Sequence, residues 1–405
     1  MSKRFSTRAV HAGRDDFRDL GVHAPPLDLS STYPTPDLEE AARSFDSLVA
    51  GDAPIGTFVY QRMFNPTTDR FEKALAELEG AEDAAAFSSG MAALTATLLA
   101  AKSRGMHVVA VRPLYGTADH LLTSRMLGHS VTWTTPDRIA QALKPNTCLV
   151  VIETPANPTL NLLDIRAVVE QAGDVPVMVD STFATPVLQR PLEHGASLVM
   201  HSATKFLGGH GDIVAGVVAG PHKFIRDIKH VRAATGSLLH PMASYLLHRG
   251  LPTLELRVLR AQESAIALAK RLADDRRVAS VRFPSLPGQD PRHLLGRQMS
   301  GPGSVLAFEL ATEDPAVTRH FVESLELITP AVSLGCTDTL IQPPAALTHR
   351  VVDEHARKRV GISQGLLRLS VGLEDPNDLW EDLDRALAEV ASRVEVRSPA
   401  LAQST

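Results

Sequence analysis

The chain has 405 residues, a formal net charge of −5 and a hydrophobic fraction of 44%. This length exceeds the usual limit for one hydrophobic core, so two domains are expected. The mildly acidic balance without a basic stripe disfavours nucleic-acid binding, and the apolar stretches, of about ten residues at most, are too short to cross a bilayer.

The cysteine content indicates a reducing compartment. The chain contains two cysteines, Cys148 and Cys336, which cannot form a disulfide framework. No continuous apolar segment follows the first residues, so no secretory signal is expected. We therefore expect a cytoplasmic protein. The sixteen histidines are scattered without HExxH or CxxC spacing, and no metal site is predicted.

The first sixty residues show little periodicity and many prolines. They predict an extended arm with one short helix near 38–48, which packs on a neighbouring subunit. From about residue 70 to 250, apolar strand-like runs alternate with helical periodicity, which predicts a mostly parallel sheet covered on both faces. The predicted strands are 84–88, 106–111, 148–153, 175–181, 197–202 and 213–219, and the predicted helices include 69–80, 91–101 and 163–173.

After residue 250 a long helix, 254–274, is predicted to lead into a second unit. That unit contains predicted strands at 304–310 and 366–371 and predicted helices near 315–325 and 377–394. The fold class is therefore α/β, with a large doubly wound, mostly parallel sheet domain and a smaller C-terminal α/β domain. The expected divisions are an arm at 1–62, a large domain at 63–255 and a C-terminal domain at 256–405.

The segment 201–212 places one lysine, Lys205, between two hydroxyls and a glycine-rich turn. A crowded amine loses proton affinity and can form a Schiff base, and the hydroxyls of Ser202 and Thr204 can bind a phosphate. This combination suggests a lysine that binds pyridoxal phosphate (PLP). The alternative is an ordinary surface lysine. A nicotinamide site is disfavoured, because the glycines do not form GxGxxG.

Asp180 ends the apolar run 175–179, where a carboxylate is costly unless it is paired. A protonated pyridine nitrogen would be a suitable partner, because that pairing makes the ring an electron sink. A helix N-cap and a metal ligand are the alternatives.

Two segments could bind the cofactor phosphate. Ser89, Gly90 and Met91 open an apolar helix, and backbone N–H groups at a helix start bind phosphate. An ordinary serine N-cap is the alternative. Tyr60 and Arg62 could each donate to a phosphate, or form a packed tyrosine beside a surface arginine.

Two further residues fit the cofactor and its substrate. Tyr115 follows a predicted strand, where it could stack on a planar ring and transfer a proton, or simply pack in a loop. Arg368 lies within an apolar strand and needs a carboxylate partner. A substrate α-carboxylate or an internal salt bridge would serve.

These motifs resemble the cystathionine γ-synthase, cystathionine γ-lyase and methionine γ-lyase family of PLP enzymes, and most closely its methionine γ-lyase-like members. The resemblance covers nearly the whole chain, and its most specific segments are 60–67, 153–158, 179–183, 201–212, 333–335 and 368–372. It implies an aspartate-aminotransferase-like (type I) fold with PLP as cofactor. It also implies a homotetramer, built as a pair of dimers that share active sites.

The resemblance implies a role for each matching residue. Lys205 binds the cofactor as a Schiff base and moves protons, and Asp180 pairs with the ring nitrogen. Asn157 bonds the ring hydroxyl, and Tyr115 stacks on the ring. The remaining expected contacts are to the phosphate (Ser89, Gly90, Met91, Ser202 and Thr204, with Tyr60 and Arg62 reaching the neighbour's phosphate) and to the substrate (Ser333 and Arg368 at its carboxylate).

The implied reaction is γ-elimination from L-methionine, L-cystathionine or L-homocysteine, giving 2-oxobutanoate, ammonia and a thiol. A γ-replacement transferase that uses a homoserine ester is the alternative, and a catalytically inactive PLP-binding relative is another. Typical methionine γ-lyases have a cysteine at the position of Thr117 and a Lys-Asp pair at Arg232-Ala233. Cystathionine-processing members often have a glutamate where Asp338 stands. Thr117 and Asp338 are therefore expected to contact the substrate.

Overall fold

The structure is a computed structural model that describes residues 3–312 and 314–397. Its N-terminal segment contains three helices, α1 (Phe5–His11), α2 (Phe17–Leu20) and α3 (Leu38–Val49), of which the sequence predicts only the third. Ala9 and Ala12 are buried in the core of their own chain. The start of this segment therefore packs on its own chain.

A seven-stranded sheet forms the larger unit, with the strand order β1-β7-β6-β5-β4-β2-β3. Strand β7 runs antiparallel to both neighbours, and the other adjacent pairs are parallel. The prediction of a large, mostly parallel sheet is confirmed. Its strands are β1 (Asp83–Phe87), β2 (His107–Val111), β3 (Ser130–Thr134), β4 (Thr147–Glu153), β5 (Val177–Asp180), β6 (Leu198–His201) and β7 (Gly216–Gly220).

Helices cover both faces of this sheet, because its central strands are apolar on both sides. Helix α5 is hydrophobic around most of its circumference and begins after Ser89, whose hydroxyl accepts a hydrogen bond from Ala92 N at 3.0 Å. The covering helices are α4 (Pro66–Glu79), α5 (Gly90–Ala101), α6 (Gly116–Thr123), α7 (Ile139–Ala142), α8 (Ile165–Ala172), α9 (Thr185–Leu188), α10 (His222–Thr235) and α11 (Pro241–Gly250).

Helix α12 (Leu254–Ala273) leads into a second, five-stranded sheet with the order β10-β11-β12-β9-β8. This sheet is antiparallel except for the β10–β11 pair. Its elements are β8 (Val278–Arg282), β9 (Val305–Leu310), α13 (Pro315–Glu323), β10 (Thr329–Pro330), β11 (Leu340–Gln342), α14 (Glu354–Arg359), β12 (Leu366–Ser370) and α15 (Pro376–Arg397). The smaller C-terminal α/β unit is thus confirmed, and the boundaries 1–62, 63–255 and 256–405 stay predictions.

The two units meet over a shared apolar core. Val258, Val305 and Leu366 from the C-terminal part belong to the same buried cluster as Phe71 and Val199. This contact brings one face of the small sheet against the large unit. Among the described residues, no helix combines the length and apolar character that a bilayer crossing requires.

Candidate active site

Polar side chains collect at the carboxyl ends of three neighbouring parallel strands. Glu153 ends β4 and lies in register with Asp180 at the end of β5. His201 ends β6, and Lys205 follows four residues later in the chain. Ligands of parallel α/β sheets bind at this edge, and the structure places both Asp180 and Lys205 there.

Lys205 points towards the second unit. Its Nζ donates a hydrogen bond to Ser333 Oγ at 2.7 Å. Burial, helped by the positive charge of Arg368, lowers the pKa of Lys205 from 10.5 to about 8. Near neutral pH a useful fraction of this amine is therefore uncharged and nucleophilic. A surface lysine, the alternative from the sequence, would have no such environment.

The backbone of Ser333 is unusual. Its φ of 90° lies in the left-handed region that non-glycine residues seldom adopt. In this conformation Ser333 accepts two hydrogen bonds. Its hydroxyl accepts from Lys205, and its carbonyl accepts from Arg368 Nη2 at 2.6 Å. Ser333 thus joins the predicted catalytic amine to the predicted carboxylate site.

Asp180 is tied to the lysine loop through Thr182. Its Oδ1 accepts hydrogen bonds from Thr182 N, at 3.0 Å, and from the Thr182 hydroxyl. That hydroxyl in turn accepts from Ser202 N at 2.8 Å. Helix α9 has Ala184 as its N-cap, so Asp180 does not cap it.

Among the described residues, Asp180 has no cationic partner in direct contact. Burial raises its pKa, while the Thr182 hydrogen bonds and the charge of His201 oppose that shift. Within residues 3–312 and 314–397, no group donates a hydrogen bond to Oδ2. A protonated ring nitrogen would satisfy that oxygen and stabilise the ionised form.

The start of α5 offers a concave backbone surface. A Cβ atom on Gly90 would lie 3.1 Å from Ser202 Cβ, and one on Gly216 would lie 2.2 Å from Ser89 O. Small residues thus let the helix start approach the lysine loop closely. Free N–H groups at this helix start, together with the Ser202 hydroxyl, suit a phosphate. Met91 is the second residue of the same helix and is partly buried.

Thr204 and Arg62 have other partners in the structure. The Thr204 hydroxyl donates to Ala215 O at 3.1 Å and accepts from Ala215 N at 2.9 Å, so its proton is already used. Arg62 donates from Nη1 to Ala233 O, and its guanidinium lies 5.7 Å from the centre of the Tyr60 ring. Tyr60 is 44% exposed.

Tyr115 and Asn157 are held by one buried carboxylate, Glu153, for which the sequence motifs predicted no role. Glu153 Oε2 accepts from Tyr115 N at 2.7 Å, and Oε1 accepts from Asn157 N at 2.8 Å. The Tyr115 side chain is 38% exposed, which leaves its ring free to stack on a ligand. Burial lowers the pKa of the nearby His349 to about 4, so its ring is neutral near pH 7. Its Nε2 donates to Leu114 O at 3.2 Å.

Arg368 is buried on β12 and faces the large unit. It donates from Nη1 to Asn157 Oδ1 at 3.0 Å and from Nη2 to Ser333 O at 2.6 Å. Its Nε is buried without a partner. Burial lowers the pKa of Arg368 to about 10, although the Glu153 and Tyr115 charges oppose this shift. No carboxylate forms a salt bridge with it among the described residues, so the guanidinium can receive one from a ligand.

The chain matches the model of the family described as "Cys/Met metabolism PLP-dependent enzyme" over residues 6–388. The chain belongs to this PLP-dependent family. An L-methionine gamma-lyase of Streptomyces avermitilis is 54% identical over 387 residues, covering 95% of this chain and 89% of that protein. An L-methionine gamma-lyase of Brevibacterium sandarakinum is 53% identical over 384 residues, covering 94% and 96%.

The fold of this chain is also close to that of a solved structure. The cystathionine gamma synthase of Xanthomonas oryzae pv. oryzae, in complex with cystathionine, has a TM-score of 0.88 and 35% sequence identity. The match covers 97% of this chain and all of that one. The type I PLP-enzyme fold expected from the sequence is therefore confirmed.

The residues present fit pyridoxal phosphate. An uncharged amine at Lys205, an unpartnered carboxylate oxygen at Asp180 and a glycine-lined helix start at Gly90 complement its aldehyde, ring nitrogen and phosphate. The orphaned Nε of Arg368 is available to a substrate carboxylate. This donor set is what a PLP-dependent amino-acid enzyme needs.

Two predicted substrate residues have less definition. Thr117, on α6, and Asp338, in the loop before β11, are both exposed and form none of the side-chain hydrogen bonds found in the described part of the chain. Asp338 is nevertheless close enough to affect the site electrostatically. Its charge helps to raise the pKa of Cys336, while the charge of Lys205 lowers it. Arg232, flagged in the sequence, is buried and bonded to Glu72 rather than open to a ligand.

Proposed function

We propose that this PLP enzyme is a carbon–sulfur lyase that cleaves the Cγ–S bond of L-methionine, L-cystathionine or L-homocysteine. One water is consumed, and the products are 2-oxobutanoate, ammonia and a thiol, or hydrogen sulfide when the substrate is L-homocysteine. The observation that carries the proposal is the path from Lys205 Nζ through Ser333 to Arg368, which puts a proton-transfer group beside an amino-acid carboxylate site. The two L-methionine gamma-lyases that are more than half identical support the choice of substrate.

The cofactor, when bound, supplies an electron sink that stabilises negative charge at the substrate's Cα and Cβ. In this proposal Asp180 keeps the ring nitrogen protonated, and Tyr115 covers one face of the ring. Asn157 donates from its amide to the ring hydroxyl, while its Oδ1 is held by Arg368. These contacts would hold the ring in place against the substrate.

The chain's own groups bind the substrate and move its protons. Arg368 holds the α-carboxylate through its remaining N–H groups, with Ser333 beside it. The Lys205 amine accepts the proton from Cα, would deliver it to the bound cofactor, and is then free to accept the second proton from Cβ. The sulfur departs from Cγ as a thiolate that takes a proton from the Tyr115 hydroxyl or from Lys205. The lowered pKa of Lys205 suits a group that must both accept and donate near neutral pH.

Elimination is tested by substrate turnover in the absence of any acceptor. Purified holoenzyme given L-methionine, L-cystathionine or L-homocysteine alone should release 2-oxobutanoate and, in equal amounts, a thiol (hydrogen sulfide in the case of L-homocysteine). Lys205→Ala is the matched negative variant. Absence of 2-oxobutanoate from all three substrates removes the lyase assignment.

The second candidate is γ-replacement, which the structural likeness to a cystathionine gamma synthase favours. This reaction transfers a thiol onto an activated homoserine ester. It predicts product formation only when both the ester and a thiol are present. A synthase should therefore release little 2-oxobutanoate from methionine under conditions in which replacement is rapid.

We also propose that the active site is shared between subunits of a homotetramer, with Tyr60 and Arg62 reaching the neighbour's phosphate. Both residues lie at the surface of one chain, and each can donate to an anion. Inactive Arg62→Ala and Lys205→Ala proteins, mixed and refolded together, should regain partial activity if sites are shared. A cytoplasmic location is proposed from the two unpaired thiols, Cys148 and Cys336.

A further inference from the structure

Glu153 is the one buried carboxylate at the strand edge that the proposed mechanism leaves without a role, in the part of the chain that the structure describes. It ends β4 with 5% exposure. Both of its oxygens are occupied by backbone donors, Tyr115 N and Asn157 N. A carboxylate placed this deep is costly unless such donors satisfy it, so its contacts should have a specific purpose.

The two backbone donors belong to residues with different positions around the cofactor. Tyr115 begins α6 from the loop after β2, and Asn157 lies in the loop after β4. The first is proposed to stack on the ring, and the second to bond its hydroxyl. No other described side chain receives hydrogen bonds from the backbone of both residues. Glu153 therefore fixes the position of Tyr115 relative to Asn157.

The same side chain is coupled to the rest of the site. Glu153 lies in register with Asp180, and Asn157 Oδ1 accepts from Arg368. Burial raises the pKa of Glu153 well above its usual value, and the charge of Asp180 adds to that shift. Any movement of Glu153 would thus reach the tyrosine, the asparagine and the arginine together.

We propose that Glu153 is a positioning residue for the cofactor, which locks the Tyr115 and Asn157 loops in the one arrangement that fits the ring. It touches neither cofactor nor substrate, and acts by accepting one backbone hydrogen bond from each loop. The inference rests on the proposed site for PLP. It does not depend on which sulfur amino acid is cleaved, because its test follows the cofactor rather than the product.

Two substitutions at Glu153 separate the length of its side chain from its ability to accept hydrogen bonds. Glu153→Gln is isosteric, but the amide nitrogen cannot accept a hydrogen bond, so one of the two backbone donors faces another donor. Glu153→Asp keeps the carboxyl group but is one methylene shorter, so it cannot span both loops. Asp382→Asn is the matched control, because Asp382 is a buried carboxylate in α15 that accepts backbone hydrogen bonds from Glu326, Leu327 and Ile328.

The readouts are the visible circular dichroism of the bound cofactor and the time for half of it to leave the holoenzyme during dialysis. Both Glu153 variants should lose the cofactor faster by about tenfold or more, the effect of leaving one buried backbone donor unsatisfied, with a changed dichroism amplitude. Asp382→Asn should lower the melting temperature and leave both cofactor readouts at the wild-type level.

A double-mutant comparison tests whether Glu153 acts through the tyrosine. In a Tyr115→Ala background the additional loss from Glu153→Asp should be clearly smaller than in the wild type, because one of the two positioned groups is already missing. Unchanged dichroism and retention in Glu153→Asp, or fully additive losses, would overturn the proposal. If Glu153→Gln yields no folded protein, the Glu153→Asp result decides. Failure of the lyase assay with these readouts intact would count against the proposed function alone.

Discussion

Replacement of Arg368 by lysine is the substitution that separates binding from chemistry most clearly. Lysine keeps the positive charge but loses the planar fork that now reaches Asn157 Oδ1 and Ser333 O and leaves Nε free. Each hydrogen bond to a charged group contributes about 1.5–3 kcal/mol. Loss of one to two such bonds to the substrate carboxylate should lower kcat/KM by about 10- to 10⁴-fold, at about 1.4 kcal/mol per tenfold.

The loss should fall mainly on KM. The α-carboxylate lies away from the Cγ–S bond and keeps its charge throughout the reaction, so Arg368 binds ground state and transition state about equally. The assay is 2-oxobutanoate release over a wide range of methionine concentration. Arg277→Lys is the control, since Arg277 is bound to Asp275 and Asp384 in the C-terminal unit. A large fall in kcat at unchanged KM would refute the carboxylate assignment.

Three further outcomes are expected. Asp180→Asn should keep the cofactor but lower kcat by at least about 10²-fold, because the ring nitrogen loses its ionised partner; normal turnover would contradict that pairing. Tyr115→Phe should lower kcat by about 10²-fold with little change in cofactor retention, since it removes the proton donor but keeps the ring; equal loss of retention would instead indicate a binding role for the hydroxyl. In cofactor-free protein, PLP capture should accelerate as pH rises through about 8, as Lys205 loses its proton, and Arg368→Met should move that midpoint upward; a midpoint near that of an exposed lysine would contradict the environment described.

The sequence predicted the central sheet well because its strands are continuous apolar runs. Strands β2, β4, β5 and β6 were all expected within a few residues of their observed bounds, as was helix α5. Strand β3 was not expected, because it lies at the sheet edge, is only half-buried and lacks the continuous apolar run of the central strands. Helices α6, α10 and α11 were also not expected.

Within the site, residue chemistry predicted the groups that need an external partner. Burial of a charged group in apolar surroundings is unfavourable, and this marked Lys205, Asp180 and Arg368 in the sequence. In the structure none of the three has a fully paired charge within the described chain. The role of Glu153 was not predicted, because its partners are backbone N–H groups from two loops, which no sequence pattern reveals. The same reasoning that selected Asp180, a carboxylate ending an apolar strand, could have selected Glu153 as well.

Contacts between loops far apart in the chain could not be predicted. The left-handed backbone of Ser333, which lets it meet both Lys205 and Arg368, depends on the packing of the two units. The pairing of the Thr204 hydroxyl with Ala215 is another example, and the phosphate contact of Thr204 stays a prediction.

The most direct test is to trap the cofactor on the protein and locate it. Borohydride reduction of the holoenzyme, followed by proteolysis and peptide mass mapping, should find a pyridoxyl group on Lys205 and on no other lysine. A stable label elsewhere, or an unmodified Lys205 in fully loaded enzyme, would show that Lys205 does not bind the cofactor.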